Sequence, residues 1–584
     1  MKSICTFLLI LALLLTACST STADPSAVET ALSTEAVMLS PSELFSDRDQ
    51  NTDSEGSVSI VLTGSSASCE DKGVSVSGST VTIRSGGKYH MSGDLNGSIV
   101  VDAQSTDHIQ LILHNANIHA ENTAALYVKQ ADKVVVTLEG ENSLCTLSDF
   151  TSTEDPTLDG AVFAKDDLSF NGSGSLELSS PLHGIVCKND LVFVGGRYTV
   201  DAQKHAVSAK DSLRIADGNF HLSAGGDGLH AENTEDAKAA FIYISNGSFT
   251  IDAVCDAISA GSVLEIQDGD FGITAGGGSI NAAAHYESFG RFQNTQSSET
   301  EISTKGLKAQ GNVLLHGGSF VIDAADDCIH SNSNVHILGG SYELQSGDDG
   351  IHAEEKLLIQ EGAVNITKSY EGLEGHCIDI NGGSIRLKAS DDGLNAAGGN
   401  DGSGLGGFGR NDMFANDENA YISIAGGSLV IDAGGDGIDS NGALLVSGGE
   451  TFVSGPTNSG NGALDFAGEA KVTGGLFLAT GAAGMATGFG TGSTQGSIFV
   501  SYNTQSAGSK VTLTNEAGEL LIDWETTKES SSIVLSCPGI LQGETYHLTV
   551  GSIEGDITMT DIIYGYSSGM PGGGGGHGGR PGGR

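Results

Sequence analysis

Asp348-Asp349-Gly350-Ile351-His352 is one of four related stretches that follow one another at steps of 22, 22 and 21 residues. The other copies are Asp326-Asp327-Cys328-Ile329-His330, Tyr370-Glu371-Gly372-Leu373-Glu374 and Asp391-Asp392-Gly393-Leu394-Asn395. Each copy has an acidic residue, then a small residue (Gly, or Cys in one copy), then an aliphatic residue. A fixed period in the low twenties predicts that the chain winds into a solenoid.

A second pattern lies between the copies, where Gly-Gly-Ser precedes alternating apolar residues. Gly317-Gly318-Ser319 precedes such a run from Phe320 to Ala324, and Gly382-Gly383-Ser384 precedes another from Ile385 to Ala389. The alternation predicts short strands, and the glycine pairs predict turns. Several short strands per coil predict an all-β fold, a parallel β-helix.

In such a fold, equivalent residues of successive coils lie about 4.8 Å apart, the usual spacing of strands. The acidic residues of the copies should therefore stack on the surface, where two bare carboxylates repel by about 3–4 kcal/mol. Basic residues are few nearby, so we expect a bound Ca²⁺, which prefers oxygen ligands. The alternative is that each Asp-Gly pair is an ordinary turn. The predicted metal ligands are Asp326, Asp327, Asp348, Asp349, Glu371, Glu374, Asp391 and Asp392.

His330 and His352 should also stack, because they occupy the same position in successive copies. We expect them to form a hydrogen-bonded ladder or to line a polar groove, where they would contact a carbohydrate.

The chain is strongly acidic. It has 584 residues, of which 73 are acidic and 27 basic, giving a formal charge of −46. Nucleic-acid binding is excluded because it requires a basic surface. This charge suits cation binding and solubility outside the cell.

The N-terminus has the features of an export signal. Lys2 precedes a short apolar run over residues 7–15, and Leu15-Thr16-Ala17-Cys18 matches a bacterial lipobox. We therefore predict a signal peptide over residues 1–17, lipidation of Cys18 and a flexible tether over residues 18–55. The protein is expected on the extracellular face of a bacterial membrane, held by its lipid.

The remaining sequence divides into three parts. Residues 56–495 carry the repeat and are predicted to form the β-helix. Residues 496–566 lose the Gly-Gly-Ser pattern and are predicted to form a β-rich cap over the open end of the solenoid. Residues 567–584 form a low-complexity tail rich in glycine.

Two insertions, at about 276–303 and 397–419, interrupt the period and share a tripeptide. It reads Phe289-Gly290-Arg291 in the first insertion and Phe408-Gly409-Arg410 in the second. Insertions in a solenoid emerge as loops that often line the binding face. Phe289 and Phe408 could stack on a sugar ring, while Arg291 and Arg410 could bind a uronate carboxylate. Alternatively, the rings only attach each loop to its coil.

The run from Lys305-Gly306-Leu307-Lys308 to Asp391-Asp392-Gly393-Leu394-Asn395 resembles the clostridial carbohydrate-binding β-helix lipoproteins. The resemblance implies a right-handed parallel β-helix similar to that of pectate lyases. It also implies binding of calcium, polygalacturonate and cellulose, without established cleavage. The sequence departs from the family pattern at Cys328, His183 and His205.

Three functions are compatible with these features. The favoured one is calcium-dependent, non-catalytic binding of an acidic polysaccharide. The second is a calcium-dependent pectate lyase, for which Lys308 is the best candidate base because it shares the position of His330 and His352 in the repeat. The third is an adhesin made rigid by calcium.

Overall fold

The computed structural model describes residues 39–151, 155–236, 238–283, 302–396 and 417–565. Most of these residues form short parallel strands, each paired with the equivalent strand of the next coil. Every regular coil contributes one strand to each of three faces, here called face 1, face 2 and face 3. The predicted all-β parallel β-helix is therefore confirmed.

The strands fall into sets by face. Face 1 consists of Thr80–Ile83, Ser98–Asp102, Leu126–Gln130, Gly160–Ala164, His183–Cys187, Val207–Ala209, Leu229–Ala231, Ile258–Ala260, Leu307–Ala309, Ile329–Ser331, Ile351–Ile359, Leu373–Ile380, Leu394–Ala396, Ile438–Ser440 and Leu464–Phe466. Face 2 consists of Val58–Gly64, Gly87–Leu95, His108–Ala120, Lys133–Glu139, Asp167–Gly172, Asp190–Phe193, Ser212–Ile215, Phe241–Ile244, Leu264–Ile266, Val313–Leu315, Asn334–Ile337, the second halves of the long strands Ile351–Ile359 and Leu373–Ile380, Tyr421–Ile424, Ala443–Val446 and Ala470–Val472. Face 3 consists of Glu141–Thr146, Ser175–Ser180, Arg197–Ala202, Asn219–Ala224, Ser248–Ala253, Asp270–Ala275, Ser319–Ala324, Ser341–Ser346, Ala363–Lys368, Ser384–Ala389, Ser428–Ala433, Glu450–Ser454 and Leu476–Gly481.

The interior is filled by columns of identical or similar side chains. Ile329, Ile351, Leu373 and Leu394 pair in direct register and are fully buried. The repeat predicted this aliphatic column, and the structure confirms it. A second interior column stacks aromatic rings in nearly parallel planes, with ring centroids 4.6–5.0 Å apart; it consists of Phe220, Phe249, Phe271, Phe320 and Tyr342.

The glycine pairs are explained by this aromatic column. Gly340 has φ +89°, a conformation that side chains other than glycine rarely adopt, and a Cβ there would lie 2.9 Å from the hydroxyl oxygen of Tyr342. The coil can therefore turn into face 3 close above the ring only if the residue has no side chain.

Residues 39–55 pack on the β-helix, so the predicted flexible tether is wrong for this part of the chain. They form two short helices, Pro41–Leu44 and Asp47–Gln50. Asp49 is buried, and its carboxylate lies 2.5 Å from Lys133 Nζ of face 2. Arg214 Nη1, also on face 2, donates to the carbonyl of Glu43 at 2.7 Å.

The parallel stack ends in antiparallel pairing. Leu476–Gly481, the last strand of face 3, pairs antiparallel with Ser530–Ser536, which pairs antiparallel with Ser497–Gln505. Ile563–Tyr564 adds to Ser497–Gln505 in parallel. A separate antiparallel sheet contains Lys510–Asn515, Leu520–Glu525, Thr545–Val550 and Ile553–Thr558.

Three smaller elements complete the described chain. Ala67–Ser68 and Val74–Ser77 make antiparallel pairs at the first coils, and Ser279–Asn281 is a 3₁₀ turn. Within the described residues, no helix is long and apolar enough to cross a membrane.

Candidate functional site

Two columns of polar side chains run along face 1. The turn column is formed by the residues that precede the small residue of each repeat: His183, His205, Asp227, Asp256, Lys305, Asp327, Asp349, Glu371, Asp392 and Asp436. The strand column is formed by the second residue of each face 1 strand: His230, Ser259, Lys308, His330, His352, Glu374, Asn395, Asp439 and Asp465. All eight predicted metal ligands lie in these columns or immediately before the turn column.

The turn column has a structural task that the sequence alone did not reveal. Asp227 Oδ1 accepts the amide N–H of Asp256 in the next coil at 3.0 Å, and Asp327 Oδ1 accepts that of Asp349 at 3.0 Å. His205 Nδ1 accepts the amide of Asp227 in the same way, at 2.9 Å. An unprotonated imidazole nitrogen thus substitutes for a carboxylate oxygen, which explains how histidine can occupy this position in the N-terminal coils.

The carboxylates were expected on the surface, and for the central coils this is wrong. Asp327 is 0% exposed and Asp349 3%. Each is stabilised by a histidine three residues later: His330 Nδ1 lies 2.7 Å from Asp327 Oδ2, and His352 Nδ1 lies 3.0 Å from Asp349 Oδ2. Buried carboxylates require such partners because the interior does not solvate charge.

The central coils also supply their own cation. Lys305 Nζ lies 2.6 Å from Asp327 Oδ2 and 2.8 Å from Asp326 Oδ1, and the lysine is 2% exposed. Burial alone would lower the pKa of Lys305, but the charges of Asp327 and Asp326 raise it above its usual value. One oxygen each of Asp326, Asp327 and Asp348 lies within 4.8 Å of the others, so a basic side chain already occupies the edge of this cluster.

A shared histidine links the next two coils. His352 Nδ1 is 2.6 Å from Glu374 Oε2 as well as 3.0 Å from Asp349 Oδ2. Burial opposes the charged imidazolium, but Glu374 and Asp349 together raise the pKa of His352 well above its usual value. The inference that this region lacks counter-charge is therefore wrong for Asp326, Asp327, Asp349 and Glu374.

The face 1 columns of the C-terminal coils are different, because their carboxylates pair with no basic residue that the structure describes. In the described residues, no ion pair joins a Lys, Arg or His to any of the six carboxylates Glu371, Asp391, Asp392, Asp436, Asp439 and Asp465. Burial, together with the charges of Asp391, Asp436 and Asp439, raises the pKa of Asp392 to about 9. Burial and neighbouring carboxylates raise the pKa of Asp436 to about 6 and that of Asp439 to about 7.

Neutral oxygen atoms converge on the same place. Asn395 Nδ2 donates to Glu371 Oε2 at 2.6 Å, while its Oδ1 is buried and accepts no hydrogen bond from any described residue. Asn395 pairs with Glu374 on one side and Asp439 on the other, so this oxygen lies within the acidic column. A Cβ at Gly435 would collide with both Asp391 Oδ1 and Asp392 Oδ1, which shows that the two carboxylates converge on the backbone there.

This arrangement moves the best candidate cation site toward the C-terminus. Glu371, Asp391 and Asp392 were predicted as ligands and remain candidates, whereas four further candidates were not predicted from the sequence: Asn395, Asp436, Asp439 and Asp465. The repeat contained a signal for two of them, since Asp436-Gly437-Ile438-Asp439 is a further copy. Carboxylate and amide oxygens together are a ligand set that suits Ca²⁺.

The predicted carbohydrate contacts have different outcomes. Phe289, Arg291, Phe408 and Arg410 lie outside the described residues, as does Cys18. His330 and His352 are 1% and 0% exposed and stack with ring centroids 4.8 Å apart. They form the hydrogen-bonded ladder, and the alternative that they line an accessible groove is wrong.

Lys308, the candidate base of a lyase, is held by other side chains. Its Nζ lies 3.2 Å from Asp256 Oδ2 and 2.9 Å from Ser303 Oγ, and its side chain is 17% exposed. It serves here as the counter-charge of Asp256, and it takes the place beside Asp256 that His330 takes beside Asp327.

A family profile described as carbohydrate-binding domain-containing protein matches residues 77–350 and 347–523. A protein of Acetivibrio thermocellus with the same description is 29% identical over 211 residues, which are 35% of this chain and 74% of that protein. Among solved structures, a polysaccharide lyase-like protein from C. thermocellum, studied as a gadolinium derivative, matches with a TM-score of 0.36 and 30% identity. That match covers 37% of this chain and 89% of the other.

Proposed function

Because the chain belongs to the carbohydrate-binding domain-containing protein family, we propose that it is a calcium-dependent, non-catalytic binder of acidic polysaccharide, with polygalacturonate as the first polymer to test and cellulose as the second. The observation that carries the calcium proposal is the set of six carboxylates that have no basic partner among the described residues, beside the Oδ1 of Asn395, which accepts no hydrogen bond from them.

The proposed calcium ligands come from Glu371, Asp391, Asp392, Asn395, Asp436, Asp439 and Asp465. Stacked carboxylates repel one another, and a divalent cation removes that repulsion while satisfying the amide oxygen. Zinc and copper favour nitrogen and sulfur ligands, which these coils do not offer among the proposed residues. The cation would hold together successive coils that would otherwise repel.

The calcium proposal is tested by calorimetric titration of the chelator-treated protein with CaCl₂. We expect binding heat from the wild-type protein and at least a tenfold weaker affinity after Asp392→Asn with Asp436→Asn, because both substitutions remove charge and keep an oxygen. The matched control is Glu177→Gln, an exposed carboxylate on face 3 of a distant coil. An absence of calcium heat from the wild type would refute the proposal.

The polysaccharide proposal is tested by retention on insoluble polygalacturonate and on cellulose, with and without EGTA. We expect retention on polygalacturonate that falls when calcium is removed. Equal retention in both buffers would contradict calcium dependence, and no retention on any acidic polymer would contradict the proposed ligand class.

We also propose that a lipid on Cys18 holds the protein at the outer face of the bacterial membrane, as the lipobox indicates. Cys18→Ala should release the protein from the membrane fraction into the medium. Continued membrane association of this variant would contradict the proposed anchor.

A further inference from the structure

A groove of about 530 Å³ lies between face 3 and the C-terminal sheet. Its floor consists of outward side chains from four successive strands of face 3, from Ala363–Lys368 to Glu450–Ser454. Its far wall is formed by Trp524 and Thr527. The volume is within the usual range for ligand-binding clefts.

The two walls are attached to each other, so the groove is present before any ligand binds. Lys528 Nζ lies 2.5 Å from Asp432 Oδ1 and donates to the carbonyl of Ala433 at 2.6 Å. Ser454 Oγ and Thr527 Oγ1 are 2.6 Å apart. These contacts join the segment after Trp524 to the edge of face 3.

Two free cationic side chains stand on the floor. Arg386 and Lys388 are exposed and point outward from the strand Ser384–Ala389. Neither side chain makes an ion pair or a hydrogen bond with any residue that the structure describes. In a chain with 73 acidic and 27 basic residues, two adjacent unpaired cations in one groove are suited to an anionic ligand.

Aromatic side chains lie at the other end of the groove. Phe452 and Trp524 are half-buried, with ring centroids 6.2 Å apart and planes inclined by 18°. Val430 stands between Arg386 and Phe452 in the same outward column. Flat apolar rings beside cations match the two parts of a uronate residue, which are the apolar face of its ring and its carboxylate.

We propose that this groove binds a segment of a uronate polymer along the axis of the β-helix. Arg386 and Lys388 bind the carboxylates, and Phe452 and Trp524 pack on the sugar rings. The distance from the first strand of the floor to the last is about 14 Å, which accommodates several sugar residues. This inference rests on the proposed function and gives it a location on face 3, formed by residues outside the two insertions.

The chain provides its own reporter, because Trp524 is its single tryptophan. Calcium-saturated protein is titrated with oligogalacturonate while tryptophan fluorescence is recorded. We expect a saturable change in intensity or wavelength with oligogalacturonate, and none with the fully methyl-esterified oligomer, which lacks the charge. The affinity should fall with added salt, since the contacts are ionic.

Variants separate the contributions of charge and ring. Arg386→Gln with Lys388→Gln should weaken the affinity at least tenfold without changing the thermal midpoint, because both side chains are exposed. Trp524→Ala should weaken retention on insoluble polygalacturonate to a similar degree. The control is Lys129→Gln, which removes an exposed lysine that is 52% accessible on face 1.

The outcomes distinguish the groove from the proposed function. If the wild type is retained on polygalacturonate but shows no fluorescence change, and the Arg386/Lys388 variant is retained equally, the groove is refuted and the proposed function stands. If the methyl-esterified oligomer binds equally well, the charge argument is refuted. If the wild type is not retained at all, both proposals fail.

Discussion

Asp392→Asn should stabilise the calcium-free protein. In the folded chain the carboxyl of Asp392 has a pKa of about 9, because it is buried and faces Asp391, Asp436 and Asp439. Its ordinary pKa is 3.8, so at pH 7 the carboxyl is ionised in the unfolded chain and held neutral in the folded chain, which disfavours folding by about 4 kcal/mol before screening by solvent reduces that figure. Asparagine removes this cost and keeps the oxygen that accepts the amide N–H of Asp436 at 2.6 Å.

The pH dependence has a definite sign. The folded pKa of Asp392 is raised, so its carboxyl favours the folded state fully below pH 3.8, and this contribution is lost as the pH rises toward about 9. The thermal midpoint of wild-type protein in chelator should therefore be lower in a buffer at about pH 8 than in a buffer at about pH 5. The midpoint of the variant should fall less.

The assay is thermal unfolding followed by circular dichroism, in EGTA and in excess CaCl₂. For a cooperative unit of several hundred residues, about 1 kcal/mol corresponds to about 1 °C. We therefore expect the variant to unfold up to about 4 °C higher than wild type in EGTA near neutral pH, and to gain less from calcium. A thermal midpoint for the variant below that of wild type, in EGTA at about pH 8, would refute the reasoning.

Three further predictions concern the other coils. Lys305→Met should destabilise the protein by about 3–5 kcal/mol in urea unfolding, because it leaves Asp327 buried without its cation; a loss below about 1 kcal/mol would contradict this. Burial lowers the pKa of His183 and His205 to about 4, so the free energy of unfolding should decline as the pH falls from 6.5 toward that value. The variant His205→Asn should show a smaller decline in urea unfolding, because asparagine does not become charged. Wild-type protein should form no unsaturated uronate from polygalacturonate in calcium, measured by ultraviolet absorbance; product that disappears in Lys308→Ala would instead establish a lyase.

The repeat predicted the register of the central coils because one period governs them. Once Asp327, Asp349 and Glu371 are aligned by sequence, the pairing of their neighbours follows, and Ile329 pairs with Ile351 as expected. The strand alternation further determines which side chains face inward. These features depend only on local pattern and coil length, and both are visible in the sequence.

The electrostatic partners were not predictable in the same way. Lys305 stands in the turn column one coil before Asp327, so the repeat places it nearby, but only the structure shows its amine entering between Asp326 and Asp327. A long side chain can extend to solvent or bend along the column, and sequence does not decide between these. The carboxylates without described basic partners were therefore predicted one or two coils closer to the N-terminus than the structure places them.

The prediction of a flexible tether was wrong for residues 39–55 for another reason. Its polar composition suggested a tether, yet Ser46 and Asp49 form a reciprocal capping box, and Asp49 reaches Lys133 in the β-helix. Contacts with distant strands, such as Asp49 with Lys133 and Arg214 with the carbonyl of Glu43, fix a short segment whose composition is otherwise typical of a linker. Composition describes the average of a segment and carries no information about one such contact.

The proposed calcium column and the proposed polysaccharide groove occupy the same coils. The strand Ser384–Ala389, which carries Arg386 and Lys388, ends two positions before Asp391. Ser428–Ala433, which carries Asp432 on the groove floor, ends three positions before Asp436. Where both are ionised, Asp392 and Asp436 repel each other, and that repulsion would act on the coils whose strands carry Arg386 and Phe452. On this proposal, calcium controls polysaccharide binding by keeping these coils at their normal separation, and it need not contact the polymer, because face 1 and face 3 are different surfaces.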